Sequence, residues 1–210
     1  MVENAYNISF TAGAAMLNET HTVAEVYWET GKDWPLTQEK VLCDNLMGKN
    51  KVSTNKRFLS LLKQRLTTLN DEELNLLVNG SVAVRRMVVL LAICKAHSFV
   101  FDYITEQVRS VFYNIQERVS YASFNEFFNE KKYEHPELEQ ITDLTVAKMR
   151  QVVFHIMEQT ELIESAEDGV IRRPYLTELL EQTIVKDDAK WLSAFLYSDN
   201  EINNLRDLYA

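Results

Sequence analysis

Five glycines and three prolines in 210 residues leave this chain few places for the tight turns on which a sheet architecture depends. It offers instead apolar residues at helical spacing, so the sequence predicts a mainly α fold. At this length the chain holds one sizeable core or two small ones. Hydrophobic residues at 46%, with 25% charged, are ordinary for a globular protein.

Charge is spread unevenly along this helical chain. Residues 45–70 carry Lys49, Lys51, Lys56, Arg57, Lys63 and Arg65 and no acid, whereas the rest has 31 acidic and 16 basic residues. A local +6 inside a surrounding −15 is the footprint expected of a polyanion-binding site in an otherwise acidic protein. Ser53 is the expected N-cap of a helix here. From Thr54 onward Phe58, Leu61, Leu62, Leu66 and Leu69 share one face, and Lys56, Ser60, Lys63 and Thr67 the other. Arg65 falls within the apolar sector and is expected to bury its stem and pair with an acid. The first turn presents Ser53, Thr54, Asn55, Lys56 and Arg57, with Lys49 and Lys51 ahead and Lys63 two turns on. Those residue types contact phosphates and base edges when a recognition helix enters a major groove. The alternative is a solvated cationic face.

Two helices precede this one: one capped by Thr20 or Thr22 and running through Glu29, the other from Pro35 to about Asn45. The basic helix is then third of three, the order of a helix-turn-helix module. Asn70 and Asp71 open a short acidic helix, and Ser81 caps a long apolar one. Its core, residues 87–94 (MVVLLAIC), is far short of the roughly 20 residues that span a bilayer, so no membrane is expected. A helix from Phe99 to Phe112 completes residues 1–118, an N-terminal helical domain. Residues 119–210 read as an acidic, winged-helix-like domain, with a boundary near 115–121. Ser123 and Glu126 form a capping-box pattern, Thr142 or Asp143 caps a longer helix, and a small β-hairpin follows at 161–173. Helices near 175–183 and 187–197 and an acidic tail complete the chain. On the longer helix Lys148, Gln151 and His155 share the outward side, and Arg172 and Arg173 follow the hairpin. Residues 121–210 hold 18 acids against 9 bases, so this module takes the lesser part in nucleic-acid contact.

No nucleotide-binding loop, nucleophile elbow or HExxH pattern occurs, and His21, His97, His135 and His155 are scattered. Neither Cys43 nor Cys94 has a partner at metal-ligand spacing, and both sit on apolar helical faces. The sequence therefore predicts no catalytic residue, metal or cofactor. Two cysteines without a disulfide framework fit reduced cytoplasmic thiols.

SFTAGAAML at 9–17, DW at 33–34 and STNKRFLSLLKQRLTTLNDEELNLLVNG at 53–80 resemble the BrxA family of bacterial phage-exclusion (BREX) systems. LLAICKAHSFVFDYITEQVR at 90–109, FNEFFNEKKYEHPEL at 124–138 and TDLTVAKMRQVVFHIMEQTELI at 142–163 extend the resemblance to roughly residues 8–180. It implies a small, mainly helical cytoplasmic protein with helix-turn-helix-like parts, associated with DNA binding rather than catalysis, among other BREX proteins. It also implies a body like that of NusB-type RNA-binding proteins. The resemblance brings no residue-level site. The expected ligand is duplex DNA, with two alternatives: an assembly adaptor within the defence complex, or an RNA-binding protein.

Overall fold

The computed structural model describes residues 5–114 and 117–209 and is mainly helical. A 3-10 turn at Ile8–Ala12 precedes α1 (Leu17–Glu29), α2 (Trp34–Cys43), α3 (Val52–Leu66), α4 (Asp71–Asn79) and α5 (Val82–Ala96). Helix α6 (Ser98–Tyr113) leaves α5 at 115° and contains a π-helical segment at Tyr103–Val108. Then come α7 (Tyr121–Glu134), a 3-10 turn at Pro136–Gln140, and α8 (Asp143–Gln159). The chain closes with α9 (Glu178–Asp188), a 3-10 segment Ala189–Phe195 and α10 (Asp199–Tyr209).

Local chemistry fixes most helix starts. Asn70 accepts from the Glu73 amide while Glu73 accepts from the Asn70 amide, both at 2.9 Å, a reciprocal cap on α4. Ser81 caps α5 and Thr142 caps α8 as expected. Other starts move. Helix α1 begins at Leu17, placing Thr20 and Thr22 inside it, because Met16 adopts a left-handed conformation (φ 52°) that breaks the chain there. Helix α2 starts at Trp34 with Pro35 in its first turn, and Asp33 caps it, accepting from the Leu36 amide at 2.9 Å. Ser120, not Ser123, caps α7, and Ser123 closes the box from the third position.

Helix α5 is the spine. Met87 through Cys94 are all buried. Below it, Phe99 and Tyr103 of α6 meet Phe124 and Phe127 of α7 with ring centroids 5.2–5.9 Å apart, edge-on or tilted. Glu73, Lys95 and Asp187 tie α4, α5 and α9 together, with Lys95 Nζ 2.7 Å from Glu73 Oε1 and 2.8 Å from Asp187 Oδ2. The boundary expected at 115–121 falls partly on residues 115 and 116, which lie outside the described residues. Among the described residues no single helix is long and apolar enough to cross a membrane.

The expected β-hairpin is corrected. Among the described residues no strand forms. Residues 161–173 turn back on themselves through one antiparallel bridge, Ile163 with Ile171, and Val170 bridges to Arg118. The paired runs are too short to extend a ladder: the Glu164 and Arg172 amides donate to the Val170 and Leu162 carbonyls, and Pro174 then removes a donor. The acidic tail is corrected too, because it is the helix α10. At its start the Ser198 amide donates to the Glu201 carboxylate and the Glu201 amide to the Ser198 hydroxyl, a third reciprocal cap. The helix expected at 175–183 runs Glu178–Asp188, and that expected at 187–197 is the 3-10 segment. Cys43 is exposed rather than set on an apolar face, whereas Cys94 is buried.

Candidate nucleic-acid interface

Helix α3 buries Asn55, Leu59, Leu61, Leu62, Arg65 and Leu66 against α1, α5 and the Ile8–Ala12 turn. Its opposite side is open: Ser53, Lys56, Arg57, Ser60, Lys63 and Gln64 are exposed, with Thr54 half-buried. The helix starts at Val52 with Lys51 at the cap position, so Ser53 makes no capping bond and keeps its hydroxyl on the surface. The unsatisfied amides of that first turn add partial positive charge beside Lys51, Lys56 and Arg57.

The expected site residues divide by what they touch. Lys51, Lys56, Arg57 and Lys63 have no acidic partner among the described residues. Two of them rest on aromatic faces: Lys63 Nζ lies 5.6 Å from the Trp34 ring centroid and Arg57 Cζ 5.6 Å from that of Phe58. Such rings hold a cationic head without neutralising it. Trp34 stacks on Tyr27 at 4.3 Å, anchoring that support in the α1–α2 corner. Sequence alone does not mark Trp34 and Phe58 as supports: Trp34 meets the basic helix only in three dimensions, and Phe58 reads as one more apolar residue of the stripe.

Lys49 and Asn55 are otherwise engaged. Lys49 pairs with Glu19 of α1 at 2.6 Å. Asn55 is buried and donates from Nδ2 to Asn45 Oδ1 at 2.7 Å, so it points into the α2–α3 junction.

Arg65 is fully buried, as its angle on the helix required, but the expected acid is replaced by backbone. Nη1 donates to the Ala14 carbonyl at 2.7 Å and Nη2 to that of Gly13 at 2.9 Å. Uncharged acceptors do not offset desolvation as a carboxylate would, and burial lowers the guanidinium to about 9. Arg65 is structural.

In the C-terminal half Lys148 and Gln151 are exposed and bond one another at 3.2 Å. His155 Nδ1 donates to the Glu158 carboxylate, 3.1 Å away. Both arginines after the bridge are neutralised: Arg172 pairs with Glu164, and Arg173 with Glu201 at 2.7 Å. Burial opposes ionisation of Glu201, yet bonds from the Ser198 amide and Arg173 outweigh it and hold that carboxyl at about 2. The structure thus brings four free cations together at α3 and leaves Lys148 and Gln151 elsewhere.

The sequence model of the BrxA family matches residues 4–188. The chain belongs to the BrxA family. Proteins named BREX protein BrxA from Escherichia coli O9:H4 (strain HS) and Bacillus cereus (strain H3081.97) are each 25% identical to it. The first match spans 78% of this chain and 76% of the relative, the second 66% and 70%. A third BrxA, from Paramagnetospirillum magneticum, is 22% identical over 78% of this chain and 81% of its own. The fold matches a crystal structure of an uncharacterised protein from Magnetospirillum magneticum with a TM-score of 0.81, covering 92% of this chain and 98% of that one. At 16% identity this likeness concerns the fold alone.

Proposed function

We propose that this BrxA-family chain is a non-enzymatic component of a BREX phage-defence system that binds duplex DNA largely through α3. One observation carries the reading. Lys51, Lys56, Arg57 and Lys63 stand exposed and, among the described residues, free of carboxylates in a protein of net charge −9, whereas Arg172 and Arg173 are paired. Cations left unpaired in an acidic protein are ready to release counterions from a polyanion. Exposed hydroxyls and amides at Ser53 and Gln64 add uncharged groups of the type used on phosphate and base edges. In this reading α1–α3 act as the helix-turn-helix-like element, and residues 119–210 form a separate acidic part whose Lys148 and Gln151 touch the duplex secondarily.

A second reading, an assembly adaptor for another BREX protein, draws on the acidic half. There Leu144 is 85% exposed and Tyr175 87%, large apolar side chains open to a partner. Fluorescence anisotropy of the full chain with labelled duplex DNA, structured RNA and poly-aspartate discriminates the readings. Salt-sensitive binding to duplex above the other two supports the first. Equal affinity for poly-aspartate reduces α3 to a general polyanion patch, and tighter RNA binding replaces duplex DNA as ligand.

A further inference from the structure

Helices α7 and α8 face each other across an open cleft of about 300 Å³, lined by Asn125, Asn129 and Lys132 on one side and Asp143 and Arg150 on the other, over Phe128. It lies in the half of the chain with the acidic balance, yet both cations in it lack an acidic partner among the described residues. Arg150 donates from Nη1 to Asn125 Oδ1 at 3.0 Å and lies 4.5 Å from the Tyr121 ring centroid, so a neutral amide and a ring hold it in place. Its Nε is buried and makes no hydrogen bond among the described residues. Lys132 Nζ lies 5.0 Å from the Phe128 centroid, likewise placed without being neutralised.

We propose that this cleft is a phosphate-binding pocket. Arg150 and Lys132 bring two cations without acidic partners among the described residues to facing walls of one cleft, each held by a neutral amide or a ring rather than by a carboxylate. The ligand must accept from both walls at once: from Arg150 on α8 and from Lys132 and the Asn129 amide on α7. A phosphate presents three or more acceptor oxygens in a tetrahedral array and takes the fork of an arginine with the point charge of a lysine. A carboxylate, with two coplanar oxygens, leaves donors on one wall unmet. Asp143 is the acid that lines the cleft. It sits in the first turn of α8, where the helix dipole favours a negative charge, and forms no ion pair with Lys132 or Arg150 among the described residues. It lowers phosphate affinity without cancelling the site. The phosphate can come from the DNA backbone or from a free phosphate compound. The DNA source rests on the function proposed above. The phosphate chemistry does not.

The test is a titration of the full chain with inorganic phosphate, followed through the side-chain amide resonances of Asn125 and Asn129. Chloride and acetate at matched ionic strength serve as controls. The pocket predicts shifts with phosphate alone, weakened at least tenfold in Lys132→Gln and Arg150→Gln and strengthened severalfold in Asp143→Asn. Arg150→Lys, which keeps the charge and lets a folding defect be recognised, retains part of the response. No shift, or an equal shift with chloride or acetate, overturns the proposal. Duplex DNA added to the phosphate-loaded protein separates the sources. Displacement of phosphate, with a flatter salt dependence in Lys132→Gln, assigns the backbone. Unchanged duplex binding in that variant assigns a free phosphate compound. Absence of any duplex binding by the unmodified protein removes the DNA reading while the phosphate titration still decides the pocket.

Discussion

The Asn55 side chain donates to Asn45 Oδ1 at 2.7 Å, and the same oxygen accepts the Lys49 amide at 3.2 Å. One side chain thereby closes the turn between α2 and α3 and locks it to the first turn of the basic helix. Asn45 itself has φ 48°, in the left-handed region that asparagine tolerates better than most residues. The bond sets the direction in which Lys51, Lys56 and Arg57 leave the surface.

Asn55→Ala is therefore expected to cost about 1 kcal/mol, for the loss of one hydrogen bond whose acceptor keeps the Lys49 amide. Urea denaturation measures it. Duplex affinity should fall only as far as the junction loosens, with the salt dependence intact, because Asn55 touches no ligand.

Replacing Arg65 strands the carbonyls of Gly13 and Ala14. Arg65→Gln is expected to destabilise the protein by on the order of 3 kcal/mol, read as a lowered thermal midpoint. A stability equal to that of the unmodified protein would mean that water or another group satisfies those carbonyls equally well.

His97 gives the fold a pH dependence of known sign. It is fully buried, its ring nitrogens make no hydrogen bond among the described residues, and burial together with the Arg65 charge pushes the imidazole down to about 3. The unfolded chain has an ordinary histidine near 6.5, so between these values the unfolded state binds the extra proton. This contribution to stability is complete above about pH 6.5 and fades as the pH falls toward 3. His97→Leu should flatten the fall in stability between about pH 6.5 and 5, measured by urea midpoints across that range.

Arg173 works on α10 rather than on a ligand. Arg173→Gln removes the bond to Glu201 and the 4.4 Å stacking on the Tyr197 ring. It should expose α10 to faster amide exchange while leaving the salt dependence of duplex binding unchanged. A flatter salt dependence in this variant would place the arginine at the interface after all.

Much of α3 is legible in the sequence because its period is regular. The apolar stripe, the open cationic side and the burial of Arg65 all follow from about 100° per residue. Asn55 is legible too, since it lines up with Leu59, Leu62 and Leu66 at i, i+4, i+7 and i+11, but its polarity argues for the surface. The partner of Arg65 is not. The acceptors are backbone carbonyls from a segment far back in the chain, and carbonyls leave no trace in side-chain identity. The helix α10 carries its own signal in Ser198 and Glu201, a capping-box spacing obscured by the acidic residues around it. The hairpin fails because a short alternation fits an isolated bridge as well as a strand. The cleft between α7 and α8 needs the helix packing, although Asn125, Asn129 and Lys132 already share one face by spacing.

The most direct measurement is a salt titration of duplex DNA binding by Lys56→Gln/Arg57→Gln/Lys63→Gln, beside a thermal melt. These side chains are exposed, so the melt should match that of the unmodified chain to within about 0.5 kcal/mol. If each cation meets a phosphate, the log–log slope of affinity against salt falls by roughly 3, about 1 for each phosphate no longer neutralised. An unchanged affinity and slope in a folded triple variant would contradict the account, and the open side of α3 would then be only a solvated cationic face.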